Sequence, residues 1–393
     1  MLRRFPLTFL ILLVAAACAQ AAPSHDLVLG AIYPLSGPQA EGGRQELAGV
    51  QAALRVSQAN IRLQVIDATT PEAAGAAVDR LVHDYHVPAI LGTYGSTLSA
   101  AASAQAEQLN TVYWETGAVA DPITAQRHYV FRTVATGSAL GRMAVTFTHD
   151  VLVPHNGVAA PRAVIVRVND IYGRSVGGGE QALAQAEGID VVDVIEYNAA
   201  AYDANVIASR IAMVHPDFLW DVSYLDDGVA IWNAVLSRHL TFKGAIGTSS
   251  AFCMPEFGLR LGAGVIGVYA ADKPDSDISD AALSPAGRDL LARAKAAYGG
   301  ESMEIPAVAG FVGGWTLFHN VLPGAGSAPT AESIRAAALQ VDVPVGDSIN
   351  GGGVKFAGSG SLDEGQNTRA AAVVGQWQAV GVMRIVYPPA YAG

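Results

Sequence analysis

Short apolar runs alternate with longer segments of helical period along most of the chain. Leu27 to Ile32 is the first run; Pro34-Leu35-Ser36-Gly37-Pro38 follows, then a segment from about Gly43 to Gln58 in which Leu47, Val50 and Leu54 fall on one helical face. The unit recurs as Leu63 to Ile66 and the segment after Pro71, with Val78, Leu81, Val82 and Tyr85 on one side. Its third copy, Pro88 to Thr124, predicts a buried strand (Ala89 to Leu91), a turn holding Gly92 and Gly95, a helix N-capped by Ser96 and a strand over Thr111 to Trp114. Such a turn sets backbone N–H groups, with the Ser96 and Thr97 hydroxyls, at the carboxyl edge of a parallel sheet, where open α/β sheets bind small polar or anionic groups. Most capped turns of this kind bind nothing, so these residues alone do not decide function.

A second series begins near Gly137. Helices over Gly141–Asp150, Arg174–Glu187, Ala204–Val214 and Gly228–Leu240 alternate with strands over Ala163–Val168, Asp190–Glu196 and Phe218–Val222. Past Tyr269 the pattern turns helical (Pro285–Tyr298, Pro306–Leu322, Ala331–Gln340) and ends in two strands, Val373–Trp377 and Met383–Val386, suited to a hairpin. Strands apolar on both faces call for a parallel sheet covered by helices. The predicted fold class is α/β: two doubly wound parallel-sheet lobes with a cleft between them.

Residues 1–21 read as an export signal, with Arg3 and Arg4 ahead of an apolar run from Leu7 to Ala17 that is too short to span a bilayer. Ala19-Gln20-Ala21 would release a soluble periplasmic protein starting at Ala22, whereas Ala15-Ala16-Ala17-Cys18 would make a lipoprotein through Cys18, with Ala15 where leucine is usual. Losing Arg3 and Arg4 takes the net charge from −11 to −13. An acidic exported chain without a basic run is a poor partner for nucleic acid or anionic lipid. Cys253 is then the only free thiol, so no intramolecular disulfide is possible and the core, 51% of residues being apolar, must hold the fold. No later segment reads as long and uncharged enough to cross a membrane. The sequence has no G-x-S-x-G, no H-E-x-x-H, no cysteine pair for zinc and no G-x-G-x-x-G after the first strand, and His149, His155, His215 and His239 lack ligand spacing. An enzyme is not expected, and neither is a metal or a cofactor. Asp226-Asp227 reads as the acidic first turn of a helix.

The motifs in order are Ile32-Tyr33-Pro34-Leu35-Ser36-Gly37-Pro38, Ala89-Ile90-Leu91-Gly92 with Ser96, Phe131-Arg132-Thr133 and Asn169-Asp170-Ile171-Tyr172-Gly173. Asp217-Phe218 ahead of Tyr224 and Val354-Lys355-Phe356 ahead of Gln376-Trp377 complete them. Together they resemble the leucine/isoleucine/valine-binding family of periplasmic substrate-binding proteins that serve ABC importers. The resemblance implies the type I periplasmic binding protein fold, with a three-segment hinge that bends on ligand. With crossovers near Thr136–Leu140, Ala271–Asp275 and Gly351–Gly353, residues 22–138 plus 274–351 make one lobe and 139–273 plus 352–393 the other. Gly351-Gly352-Gly353 fits a hinge because glycine absorbs large φ/ψ changes, and Gly177-Gly178-Gly179 fits a packing or bending feature of its helix.

The resemblance also implies a site. Ser96 and backbone near Gly117 would hold a ligand carboxylate, with Tyr172 and Tyr224 coming from the second lobe. The threonine expected two residues after Gly117 is Val119, and the acid expected for a ligand ammonium falls at Ser249, with no Asp or Glu between Lys243 and Glu256. A buried ammonium without a partner is costly, which argues against a standard α-amino acid. Glu115 either supplies the missing charge or is a rim residue in water. Trp114, Tyr94, Tyr172 and Tyr224 would line the cleft, with Thr97 at its edge, and would suit a neutral, aromatic or otherwise non-standard relative of the branched-chain amino acids. The implied partners are a small-molecule ligand and an ABC permease and ATPase, the protein being a monomer. Ligand sensing or lipid transfer on the same fold is the alternative.

Overall fold

A computed structural model describes residues 27–300 and 302–393; the export signal and Cys18 lie outside them. The first sheet is built from β1 (Leu27–Tyr33), α1 (Ala40–Ser57), β2 (Ile61–Asp67), α2 (Pro71–Tyr85), β3 (Ala89–Gly92), α3 (Ser96–Gln108), β4 (Val112–Glu115) and β5 (Val130–Arg132). Its strands run in the order β2-β1-β3-β4-β5, and every pairing is parallel. The central strands β3 and β4 are buried at every residue. α2 shows the local logic: Thr70 accepts from the Ala73 N–H, Pro71 occupies the first turn, and Ala74, Ala77, Val78 and Leu81 turn inward. Ser96 does not cap α3 as its position suggested; Gly95 is the cap residue, without a side-chain bond.

The second sheet follows from α4 (Gly137–Phe147), α5 (Val153–Asn156), β6 (Arg162–Val168), α6 (Ile171–Ala186), β7 (Asp190–Tyr197), α7 (Ala204–Val214), β8 (Phe218–Val222), α8 (Leu225–Ser237), β9 (Gly244–Thr248), α9 (Pro255–Leu261) and β10 (Tyr269–Asp272). It is completed by the antiparallel hairpin of β11 (Val373–Ala379) and β12 (Val382–Tyr387), in the order β12-β11-β10-β9-β8-β6-β7. The glycines of α6 serve packing, as expected. A methyl on Gly179 would meet the Ser138 carbonyl at 2.3 Å, and one on Gly141 would meet that of Val176 at 2.2 Å, so α4 and α6 touch backbone to backbone.

Between the two sheet-forming stretches, α10 (Pro285–Tyr298), α11 (Ile305–Trp315) and α12 (Ala331–Ala338) return to the first lobe, where Leu290, Ala307, Val308, Phe311 and Ile334 share a core with Leu47, Val50 and Trp114. The helical run Ile305–Ala325 is apolar and long enough to cross a membrane by composition, contrary to the sequence expectation. Its apolarity is that of a core element, since 83% of its most apolar window is buried in the protein. α1 crosses α11 at glycine. A methyl on Gly310 would come within 2.0 Å of the Glu46 carbonyl oxygen. Gly310→Ala is therefore expected to cost about 1–3 kcal/mol by overpacking, read as a lower urea midpoint. Gly75→Ala, on an open face of α2 with nothing within 4 Å, should leave that midpoint unchanged or raise it.

The chain passes between lobes after β5, after β10 and before β11. The third passage lies beyond Gly351–Gly353. Val354 and Phe356 are buried in the first core, Phe356 packs edge-on against Trp114 and Phe131, and Asn367 donates to the Thr133 carbonyl at 2.8 Å. The glycine run is a tight turn, with Gly351 at φ +73° and a methyl on Gly353 only 2.5 Å from the Val343 carbonyl. Its glycines answer to crowding, and residues 352–367 stay with the first lobe.

Candidate functional site

The cleft residues expected from the sequence lie past the carboxyl ends of strands, as open parallel sheets dictate. β3 delivers Tyr94, Ser96 and Thr97; β4 delivers Gly117 and Val119; β6, β8 and β9 deliver Tyr172, Tyr224 and Ser249 from the opposite lobe. Tyr94, Ser96, Gly117, Val119, Tyr172, Tyr224 and Ser249 line one inner cavity of about 30 Å³. Thr97 stands apart, exposed on a larger outer cavity of about 420 Å³ at the cleft mouth, with Tyr224 as the wall between the two.

The lobes meet over this site. The Tyr94 hydroxyl lies 3.4 Å from Ser250 Oγ, and the Asp121 N–H donates to Ser175 Oγ at 3.0 Å. Gly42 makes room for Tyr94, because a methyl there would overlap the phenol ring at 2.3 Å. The inner cavity has room for a water or two. Anything of amino-acid size enters only when the lobes part.

The side chains are held from behind. Ser96 Oγ accepts from the Ala120 N–H at 3.2 Å, tying α3 to the turn after β4. The Tyr172 hydroxyl donates to the Thr248 carbonyl at 2.6 Å, that of Tyr224 donates to Asp170 Oδ2 at 2.8 Å, and the two rings lie 5.2 Å apart. Burial pushes both phenols well up, so they are neutral donors. Ser249 sits at φ +58°, ψ −179° and Ser250 at φ +46°. Non-glycine residues in that region are strained, and such strain gathers at functional turns.

Two aromatic and acidic assignments from the sequence change. Trp114 does not line the cleft; it is fully buried in the first core, donating to the Gly313 carbonyl at 2.9 Å and stacked on Phe131. Glu115 points away from the cleft and is no rim residue. Its Oε1 accepts from the Gly117 and Ala118 N–H groups, both at 2.7 Å, and its Oε2 from Thr93 N–H at 3.3 Å and from the Ser99 hydroxyl. It shapes the turn that carries Gly117. Alternation along β4 explains the inversion, since Trp114 and Glu115 enter opposite layers and both layers are interior.

Two groups that the sequence reading did not single out reach the cleft. Glu46 on α1 and Lys273 after β10 line a second inner pocket of about 10 Å³ with Tyr94, Gly117 and Ser249, and Lys273 lines the first pocket too. Lys273 Nζ lies 2.9 Å from Asp272 Oδ1, and the Cys253 thiol donates to Asp272 Oδ2 at 2.7 Å. Burial works against the lysine's charge, but Asp272, with Cys253 behind it, outweighs burial and holds the ammonium above its ordinary range. Signals for both existed. Glu46 falls four residues before Val50 on the buried stripe of α1, and Lys273 sits in the crossover located from the sequence. Among the described residues no cluster of His, Cys, Asp or Glu suits a metal ion.

A family model described as periplasmic binding protein matches residues 26–379. The chain belongs to that family. A relative, the Leu/Ile/Val-binding protein homolog 8 of Brucella abortus (strain 2308), is 28% identical over 375 residues, covering 92% of this chain and 91% of that one. Among solved structures, the leucine-binding protein LivK of Thermotoga maritima matches with a TM-score of 0.78 at 17% identity, covering 92% of this chain and 97% of that one. A solute-binding protein of an R. palustris ABC transporter, solved with benzoate, matches with a TM-score of 0.74 at 19% identity, over 94% and 97%. The likenesses to solved structures are of fold, two parallel-rich lobes. The family is one of solute-binding proteins rather than enzymes.

Proposed function

We propose that this protein is an exported, monomeric capture protein that closes on a small ligand in the interlobe cleft and hands it to an ABC permease and ATPase. The observation that carries this reading is the convergence of Tyr94, Ser96, Gly117 and Val119 from one lobe with Tyr172, Tyr224 and Ser249 from the other around one cavity. The ligand is a small carboxylate, aromatic or otherwise a non-standard relative of the branched-chain amino acids. A cation, Lys273, borders the cleft beside Ser249, and a carboxylate is the group a buried ammonium prefers to meet. Tyr172 and Tyr224 offer ring faces to an apolar body. The benzoate held by an R. palustris relative of the same fold is of this class.

The test is thermal shift of the mature protein with leucine, benzoate, 4-hydroxybenzoate and short-chain amides in parallel. A true ligand at 100 times its dissociation constant adds about 2.7 kcal/mol. Tyr224→Ala and Ser96→Ala are expected to weaken binding by about tenfold or more in proteins that still fold, Ser96→Ala at a cost of about 1–3 kcal/mol for the unpaired Ala120 N–H, and Tyr224→Ala with Asp170 still holding the Gly173 N–H at 2.9 Å. Unchanged affinity in both variants would sink the site. Small-angle scattering should show a smaller radius at saturation, and uptake of the labelled ligand should fail in cells lacking the gene.

A further inference from the structure

Glu46 is wholly buried on α1, on the wall of the pocket it shares with Tyr94, Gly117, Ser249 and Lys273. Its Oε1 accepts from the Thr116 hydroxyl, whereas Oε2 has no hydrogen-bond partner. A buried acceptor without a donor costs free energy, and native proteins leave few such groups without a reason. The approach of Oε2 to the cleft is built in by Gly117, where a methyl would fall 1.9 Å from that oxygen. Ser249 faces it from the second lobe in the same pocket. The second lobe's own acid in this pocket, Asp272, is taken by Lys273 and the Cys253 thiol, which leaves Glu46 Oε2 as the acceptor without a partner.

We propose that Glu46 is a specificity-determining residue of the cleft, and that the ligand presents a hydrogen-bond donor, a hydroxyl or an ammonium, to Glu46 Oε2. This rests on the cleft being the ligand site. The charged and titratable groups around Glu46 are Glu115 and Tyr113 from β4, Tyr94 after β3, Cys253 before α9, Asp272 and Lys273 from the crossover, and Tyr33 from β1, which bonds Thr116 at 2.8 Å. Burial first, and Glu115 second, lift the Glu46 carboxyl well above the usual range. A hydroxyl can donate to the acid in either state. An ammonium ionises it, and the displaced proton leaves to solvent, so the two donors differ by a proton that can be counted.

The experiment is isothermal calorimetry on the full mature chain with two matched series, 4-methylpentanoate, 2-hydroxy-4-methylpentanoate and leucine, and benzoate beside 4-hydroxybenzoate. Within a series the member carrying a donor should bind wild type about tenfold or more tightly than the bare acid. In Glu46→Leu the members should agree within about twofold. Glu46→Gln, which keeps an acceptor oxygen and guards against a Leu variant that does not fold, should keep preference for hydroxyl over hydrogen and lose preference for ammonium. Titration in two buffers of different ionisation enthalpy near neutral pH should show proton release with leucine and none with the hydroxy acid. Equal wild-type affinities within a series that binds, or a preference that survives in Glu46→Leu, would overturn the proposal and leave the cleft as the ligand site. If no member of either series bound wild type, the carboxylate reading of the cleft would fall, and this inference with it.

Discussion

Glu115→Ala is expected to lower the unfolding free energy by roughly 3–5 kcal/mol, the range for leaving buried partners of a charged group unpaired. The variant strands two backbone donors at 2.7 Å, the Gly117 and Ala118 N–H groups, together with Thr93 N–H and the Ser99 hydroxyl, in a site with no water contact. It also leaves a cavity between β4 and α3. Arg132, on the neighbouring strand and wholly buried, loses a compensating charge. Glu115→Gln should cost less, because its carbonyl oxygen can still accept from Gly117 and Ala118. Urea unfolding followed by far-UV circular dichroism separates this picture from the alternative. Were Glu115 the ligand's charge partner, the alanine variant would keep its midpoint and lose affinity; a structural keystone loses the midpoint first.

The two lobes were legible because their strand–helix units are periodic and local. Apolar runs of four to seven residues bounded by Gly, Pro, Ser and Asp have few other readings. The place of Ser96, Tyr172 and Tyr224 on the cleft was legible for a similar reason: each lies two to four residues past a strand, and the parallel sheet itself brings strand ends together. What escaped notice was long-range packing. Whether Glu115 or Glu46 meets the cleft depends on which layer each enters and on glycines opposite them, Gly117 above all, whose role appears only when α1, β4 and α11 are assembled. The third hinge was misplaced for the converse reason, since Gly351–Gly353 carries a local signature of freedom while Phe356 is drawn to Trp114 by contacts far away in sequence. Lys273 sits at a boundary where sequence pattern distinguishes a solvated linker from a buried cleft wall only through neighbours on both lobes.

Stability should fall as pH rises from about 5 to about 8, and two buried carboxyls of the second lobe should carry a large share of the fall. Glu180 on α6 and Asp221 on β8 are both wholly or almost wholly buried, each with one oxygen, Oε2 and Oδ2, that has no partner. Burial pushes each up to about 8, and the bonds from Thr248 to Glu180 (3.1 Å) and from Ser223 to Asp221 only partly offset it. Arg167 pulls Glu180 down and Asp221 pushes it up; Asp227 raises Asp221. In the unfolded chain such groups ionise near 4. Between the two values the unfolded state has released protons that the folded state retains, so unfolding gains on folding with each step in pH. Asp67 and Glu364 are shifted the other way, downward, and their contribution is lost only as pH falls below about 4; the window from 5 to 8 belongs to the carboxyls shifted upward, this pair together with Glu115 (up to about 7), Asp275 (up to about 6) and Glu46. The expected result is a melting temperature roughly 5–10 °C lower at pH 8.5 than at pH 5.5. Glu180→Gln and Asp221→Asn together should reduce that slope, even though each amide leaves a buried N–H to satisfy and lowers stability at pH 5.5. An undiminished slope in the double variant would assign it to the other raised carboxyls, Glu46, Glu115 and Asp275. Because Thr248 donates to Glu180 and accepts the Tyr172 hydroxyl at 2.6 Å, ionisation of Glu180 lies two bonds from the cleft, and ligand affinity should weaken over the same pH range.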